Sequence, residues 1–263
     1  MPLTTVCAGC ARNVGVSLMP KTVKSPAARA RSKGRDPERN GALARRDRVI
    51  NERLGALEND ALVINIGCGV VRRFEPVVTC RYLATDIRPL DNVDFSADAA
   101  ALPLADDSVD VIVALELLEH VPQPLSVLRD IHRVLKPGGT VIISVPSTVP
   151  RHDDNDYWRF TAQGLSQLCS EVFEDGEVSV FGGTFEALGY LAQYYASLAF
   201  HVLKIPPRHL HQIFPPIGHW LDRHNSWSSS NTALHTLACD LLFIGTKSAA
   251  DAPGALTREA RPD

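Results

Sequence analysis

Residues 62–69, Leu-Val-Ile-Asn-Ile-Gly-Cys-Gly, constrain this chain more than any other stretch. A short run rich in branched apolar side chains suits a strand buried in a parallel sheet. Gly67 and Gly69 bracket a single residue, so the backbone can turn sharply and approach a ligand with no Cβ in the way. A second apolar run, residues 81–86, ends in Asp86, roughly twenty residues past Gly67, where an acid can accept hydrogen bonds from ribose hydroxyls. Strand, glycine turn, strand and acid point to a nucleoside-containing cofactor. A tight turn after a core strand needs the same glycines, so the rest of the chain has to decide. A dinucleotide fingerprint places a third glycine at position 72, where Arg72 stands. That counts against NAD and leaves open S-adenosylmethionine, which has no pyrophosphate to cradle.

The 263 residues allow one large α/β domain with appendages. A formal net charge of −3 gives no general case for nucleic-acid binding. Six cysteines, at 7, 10, 68, 80, 169 and 239, are spread too irregularly for a disulfide scaffold and fit a reducing, cytoplasmic compartment. The start of the chain lacks the continuous apolar core of a secretory signal. Residues 1–35 carry seven Lys or Arg and no Asp or Glu, so a disordered basic tail is expected over 1–37. An organellar transit peptide shares that composition. Cys7 and Cys10 make half of a zinc-ribbon pattern, but a structural zinc needs four ligands and no second pair comes later at suitable spacing.

A helix is expected from about 42 to 57, with Leu43, Val49, Ile50, Leu54 and Leu57 on one face. The segment 70–78 is short for a crossover helix and Pro76 should end it. Residues 93–98 look like a third strand ending in Asp98, which is placed to accept from an exocyclic amine; a helix N-cap is the competing role. Residues 109–115 are almost continuously apolar, as at the centre of a parallel sheet, and run into Glu116 and Glu119-His120. Ligands of such sheets bind beyond the carboxyl ends of the strands, so these groups stand where chemistry is expected. Residues 124–135 form an amphipathic helix that Lys136-Pro-Gly-Gly139 should terminate, and 140–145 form the fifth strand. The polar loop after that strand leaves the same edge and carries His152, Asp153, Asp156, Tyr157 and Arg159. Thr161 is placed to cap a helix over 162–173, and 177–181 reads as a sixth strand. Residues 187–203 contain no Asp, Glu, Lys or Arg. They read as a buried or lid helix, an interfacial helix giving peripheral membrane contact, or, at ~1.5 Å per residue, a marginal span. Prolines at 206, 207, 215 and 216 break the next stretch into short segments. Residues 222–227 form a polar and aromatic patch, and 240–247 read as a last strand.

The order of these pieces resembles a class I S-adenosylmethionine-dependent methyltransferase. Strand-acid comes twice, then a central strand ending in Leu117-Leu-Glu-His-Val121, then Leu135-Lys-Pro-Gly-Gly139, then a strand ending in Val145-Pro-Ser147. The resemblance covers roughly 60–182 and resumes at 240–247. The segment His152–Thr161 also resembles, more loosely, a signature of methyltransferases of bacterial sugar and glycan clusters. The resemblance implies an α/β, Rossmann-like doubly wound sheet, mostly parallel with an antiparallel last strand, plus a helical cap insertion. It divides the chain into a core at 38–183 and 240–248, a cap at 184–239 that shapes the acceptor site, and a disordered tail at 249–263. It implies that Gly67 and Gly69 pass close to the methionyl part and ribose of S-adenosyl-L-methionine, and that Asp86 binds the ribose hydroxyls. Asp98 with the Ala99 backbone would hold the adenine, and Glu116 would lie near the methionyl amine. The chain departs from the family at Val71, where a third glycine is usual.

Such a domain is expected to methylate a small molecule, sugar or lipid-linked glycan intermediate, most simply at oxygen. A base within hydrogen-bond reach of an acceptor hydroxyl helps by ~10²–10⁴-fold. His120 is the first candidate, because an unperturbed histidine titrates near ~6.5; His152 and Asp153 are next. A packing role behind the cofactor is open for His120. Asp156, Tyr157 and Arg159 border the acceptor or form a surface loop held by its own salt bridge. Neither Asp106-Asp107 nor Asp153-Asp154 has metal-ligand spacing, so no catalytic metal is expected. The rivals are an inactive methyltransferase-like binding protein, an NAD-dependent oxidoreductase, and a methyltransferase acting on protein or RNA.

Overall fold

The structure, a computed structural model, describes residues 41–202, 217, 220–222 and 237–251. The basic tail with Cys7 and Cys10, the prolines at 206–216, most of the 222–227 patch and most of the C-terminal tail lie outside the described residues.

A helix, α1 (Ala42–Gly55), leads into β1 (Leu62–Ile66), β2 (Arg81–Asp86), β3 (Phe95–Ser96) and β4 (Val109–Leu115). Next come α2 (Pro124–Val134), β5 (Leu135–Pro146), α3 (Ala162–Ser170), β6 (Asp175–Phe181), α4 (Thr184–Val202) and β7 (Asp240–Thr246). The strands form one sheet in the order β3-β2-β1-β4-β5-β7-β6. The β1, β2, β3, β4 and β5 strands pair in parallel, whereas β7 runs antiparallel between β5 and β6. The expected fold class is therefore the observed one.

The alternation of side chains along the central strands builds a core on each face. Ile64, Ile66, Ile112 and Ala114 point to the face covered by Leu128 and Ile131 of α2 and Leu165 of α3. Val63, Val111 and Val113 point to the other, covered by Ile50 and Leu54 of α1. Each such fully buried branched side chain contributes about 1.5–3 kcal/mol. Residues 70–79 contain no helix, as their length and Pro76 suggest. Phe74, 2% exposed, fills that space beside α1 instead.

Three expectations need correction. The third strand is only Phe95–Ser96, because Asp94 turns inward, its carboxylate accepting from the Ala84 N–H of β2 and from Arg72. On α1, Leu43 is 42% exposed and the buried stripe runs Ala42, Arg46, Ile50, Leu54. Finally, Leu135–Gly139 does not separate helix from strand. It is the start of β5, with Leu135 opposite Val109 and Thr140 already opposite Val111. The intervening residues bulge out of register. A Cβ on Gly139 would come within 2.8 Å of the Lys136 carbonyl oxygen, which accounts for the glycine.

Candidate active site

The carboxyl ends of β1, β2, β4 and β5 bring the site residues to one edge of the sheet. Gly67 and Gly69 both adopt positive φ, 65° and 60°, a conformation that costs other residues roughly 1–2 kcal/mol. A Cβ on Gly67 would stand 2.8 Å from Leu117 Cδ1, whereas at Gly69 the nearest neighbour would be 3.9 Å away, at Arg88 Nη2. The first glycine thus closes the turn against the protein, and the second leaves its outer side open. The Gly69 N–H donates to Asp86 Oδ2 at 3.0 Å, joining the turn to the end of β2. Arg88 donates to Asp86 Oδ1 through its backbone N at 3.0 Å and its Nε at 2.9 Å. Burial pushes the Asp86 carboxyl up, but the donors from Arg88 and Gly69 outweigh it and hold the pKa below its ordinary value. Val71, the departure from the family pattern, is 59% exposed and does not fill the turn. Val70 and Ile87 stand out beside it, giving the rim of the groove an apolar lining.

Glu116 ends β4 with φ 51°, an uncommon conformation for a residue with a side chain. It is held there from both sides. Its N–H donates to the Ser144 carbonyl at 3.0 Å, and its Oε1 accepts from Ser144 Oγ at 2.7 Å and Arg46 Nη1 at 2.8 Å. Arg46 is 1% exposed and also donates to buried Asp240 on β7. Sequence reasoning missed Arg46 and Asp240, although the signal was there: a charged residue spaced at 42, 46, 50 and 54 along an apolar stripe. Asp98 is exposed, and its Oδ1 accepts from the Ala100 N–H at 2.9 Å, so the carboxylate also serves the turn that Ala99 occupies.

On the other side of the groove, a single 3₁₀ turn, Leu118–His120, meets the loop after β5. Tyr157 N donates to the Glu119 carbonyl at 2.8 Å and Trp158 Nε1 to the Val121 carbonyl at 2.9 Å. This clamp brings His120 and His152 together edge to face, their ring centroids 5.3 Å apart. His120 Nδ1 lies 2.7 Å from the Asn155 carbonyl oxygen. A carbonyl only accepts, so Nδ1 carries the hydrogen and Nε2 keeps the lone pair of the neutral ring. Asp156 and Arg159 form a two-pronged ion pair that ties the loop, and Arg159 holds the Asp156 carboxyl well below the usual range. Asp153 is exposed and its Oδ1 accepts from the Asp154 N–H, while its charge reaches Arg88 across the groove. Tyr157 leaves its ring 51% exposed. The loop thus unites His120 with His152 and Asp156 with Arg159, and leaves Asp153 and Tyr157 facing outward.

The sequence places Glu119 at the edge where chemistry is expected but gives it no role. Its side chain is 0% exposed, yet neither carboxylate oxygen has a hydrogen-bond partner among the described residues. Burial, with the Glu116 carboxylate next in weight, pushes it up to about 8.

Residues 64–143, from β1 to β5, match a family model described as a methyltransferase domain. Over those residues the chain is similar to methyltransferase domains, in keeping with the resemblance carried by its motifs. The chain is 50% identical over 48 residues to an uncharacterized methyltransferase of Mycobacterium bovis, a match covering 18% of this chain and 19% of that protein. It is 52% identical over 42 residues to a ubiquinone biosynthesis O-methyltransferase of Pseudomonas paraeruginosa, covering 16% of this chain and 18% of that one. Both matches span less than a fifth of the relative's length. Across 77% of this chain the fold matches a chain of the Haloferax volcanii complex between the Trm112 methyltransferase activator and a methyltransferase. That match covers 88% of the other chain, with a TM-score of 0.52 and 17% identity, so the likeness concerns the fold. S-adenosylmethionine is the cofactor that the resemblance implies, and the residues present fit it. The outer side of Gly69 is open, the rim is apolar, and Asp86 is paired with Arg88, whose side chain is 62% exposed.

Proposed function

We propose that the chain transfers a methyl group from S-adenosylmethionine to an oxygen of a small molecule, sugar or lipid-linked glycan. The observation that carries this reading is the groove itself. An acid-anchored glycine turn faces a pair of histidines across one sheet edge. The short match to an O-methyltransferase supports oxygen as the acceptor atom.

Bound at the turn, S-adenosylmethionine supplies a methyl group already activated on a sulfonium. Gly67 and Gly69 give its chain room, and Asp86 accepts from the ribose hydroxyls in place of Arg88. Asp98 and the Ala99 backbone meet the adenine. Glu116 receives the methionyl amine on the carboxylate oxygen that Arg46 and Ser144 leave open. His120, its Nδ1 hydrogen fixed by Asn155, presents Nε2 to take a proton from an acceptor hydroxyl. His152 and Asp153 border the acceptor, with the Tyr157 ring and the Asp156–Arg159 pair shaping the loop. Alignment of the acceptor can lower the barrier by up to ~7–11 kcal/mol, more than a base alone provides.

The cap is the second part of the reading. Leu188, Tyr194 and Tyr195 on α4 are exposed, as is Trp220 further along the cap. Among the described residues no helix is long and apolar enough to cross a membrane. We assign this face to peripheral contact with a lipid surface that would carry a lipid-linked acceptor.

The test is release of S-adenosylhomocysteine with labelled-methyl transfer to a panel of phenols, sugars and lipid-linked glycans, run beside calorimetric titration of the cofactor. Turnover on one class, lost in Asp86→Ala together with cofactor binding, is expected. Cofactor binding with no turnover on any acceptor would favour a binding protein, and nicotinamide binding would favour an oxidoreductase.

A further inference from the structure

From the buried, unpartnered Glu119 carboxylate and the two histidine rings beside it, we infer a site for a divalent first-row transition ion, held by Glu119, His120 and His152. One donor atom from each residue lies within 4.8 Å of the others. Sequence spacing could not show this set, because α2 and β5 separate Glu119-His120 from His152.

The donors are arranged for a cation rather than for one another. Glu119 Oε1 and His120 Nε2 are 3.7 Å apart, too far for a hydrogen bond. With its hydrogen committed to Asn155, Nε2 is an acceptor, and so is the carboxylate. Once the carboxyl has given up its proton, two acceptors face each other with no donor between them, an arrangement that a cation satisfies. An ion at about 2.0–2.2 Å from each would bridge that gap at an angle of roughly 120°. His152 Nδ1 lies 3.3 Å from Asp156 Oδ2, 3.4 Å from the Pro150 carbonyl oxygen and 3.5 Å from Arg159 Nη2, and Asp156 is itself paired with Arg159. The His120 ring is thus fixed through Nδ1 by an oxygen acceptor, which leaves its Nε2 lone pair for an ion, and oxygen acceptors also flank His152 Nδ1. That is the supporting shell found behind metal-bound histidines. The histidines are 25% and 44% exposed, so both rings can close in on an ion while Glu119 stays fixed beneath it.

Two imidazoles and one carboxylate suit zinc or a neighbouring transition ion better than magnesium or calcium, which favour all-oxygen shells. Three protein ligands also leave a coordination position open, as in catalytic rather than structural sites. The role of that position rests on the function proposed above, with the ion replacing His120, whose Nε2 lone pair it occupies, as the activator of the acceptor: the open position takes the acceptor's hydroxyl oxygen. The bound hydroxyl loses its proton to bulk water past the exposed His152, and its oxygen uses the remaining electron pair to form the O–CH3 bond as the methyl–sulfur bond breaks, whose electrons stay on the sulfur of S-adenosylhomocysteine.

The test uses the full chain stripped of metal with a chelator. Zn²⁺ is titrated by calorimetry and Co²⁺ by visible absorption, with Mg²⁺ as the hard-cation control. Wild type should take one equivalent of Zn²⁺ and give a Co²⁺ spectrum of nitrogen and oxygen ligation. Glu119→Gln and His152→Gln should each weaken binding by at least roughly tenfold. His152 is on the surface, so its variant keeps the test clear of any folding defect at Glu119. No uptake by wild type overturns the site. So does uptake unchanged in both variants, which would move the ion elsewhere, for example to Cys7 and Cys10. S-adenosylhomocysteine binding is measured on the same samples. Cofactor binding without metal uptake removes this inference alone, and metal uptake without cofactor binding removes the methyltransferase reading alone.

Discussion

Asp86 and Glu119 are both buried carboxylates at the same edge of one sheet, yet their surroundings drive them in opposite directions. Asp86 sits among donors: the Gly69 N–H, the Arg88 N–H and the Arg88 guanidinium. These stabilise its charge more than burial opposes it. Glu119 is buried as deeply but meets no donor, and the nearby Glu116 charge adds to the cost of ionising it. Burial alone therefore does not set the charge of a buried acid; the count of donors around it does. The cofactor half of the groove is a finished hydrogen-bond network. In the acceptor half Arg159 is tied to Asp156, and the Glu119 oxygens lack a hydrogen-bond donor, which a substrate proton or an ion would replace.

The largest test of this contrast is Arg46→Met. Arg46 neutralises Glu116 and Asp240, and removing one partner of a buried ion group costs about 3–5 kcal/mol. Urea unfolding should show a loss of that size. A loss under about 1 kcal/mol would mean the two acids are solvated or protonated without it.

The pH dependence of stability in metal-free protein comes next. Glu119 in the folded chain titrates near 8, above its ordinary 4.5. The folded state keeps a proton that the unfolded chain has released. Its contribution is therefore full below 4.5 and is lost as pH rises towards 8. Glu119→Gln removes that loss, so the variant should gain on wild type between about pH 5 and about pH 9, by on the order of a few kcal/mol. Asp86 has the opposite sign. Its folded value lies below 3.8, so its contribution is full above 3.8 and disappears as pH falls through the lower value. The stability deficit of Asp86→Asn should hold steady across the neutral range and close in acid. Parallel slopes for the two variants would break the contrast.

Cofactor affinity separates the halves more finely. Asp86→Asn should weaken S-adenosylhomocysteine binding by about 10- to 100-fold, the value of a charged hydrogen bond. Glu119→Gln should leave it within about threefold, and equal losses would show that the groove acts as one unit. Smaller still are the turn substitutions. Gly67→Ala should lower stability by about 1–2 kcal/mol through its positive φ and the Leu117 contact. Val71→Gly, at an exposed position, should stay within about 0.5 kcal/mol, as thermal unfolding will show.

The cofactor side was legible because its signals are local. A strand, its terminal glycines and the next acid sit within one parallel βαβ-like step, so their spacing carries the geometry. The last antiparallel strand, expected from the resemblance, is present as β7. The β3 length and the role of Leu135–Gly139 were not legible, since both depend on pairing: Asp94 turns into β2, and Val109 recruits Leu135 into the sheet. By itself the sequence determined a doubly wound sheet with a nucleoside-binding edge, because apolar periodicity and glycine placement are properties of short segments. Only the tertiary structure brought Arg46 from α1 to Glu116 and Asp240, and His152 from beyond β5 to Glu119 and His120. Long-range packing fixes those neighbours, and the donors it gathers around each buried acid then set which charges survive.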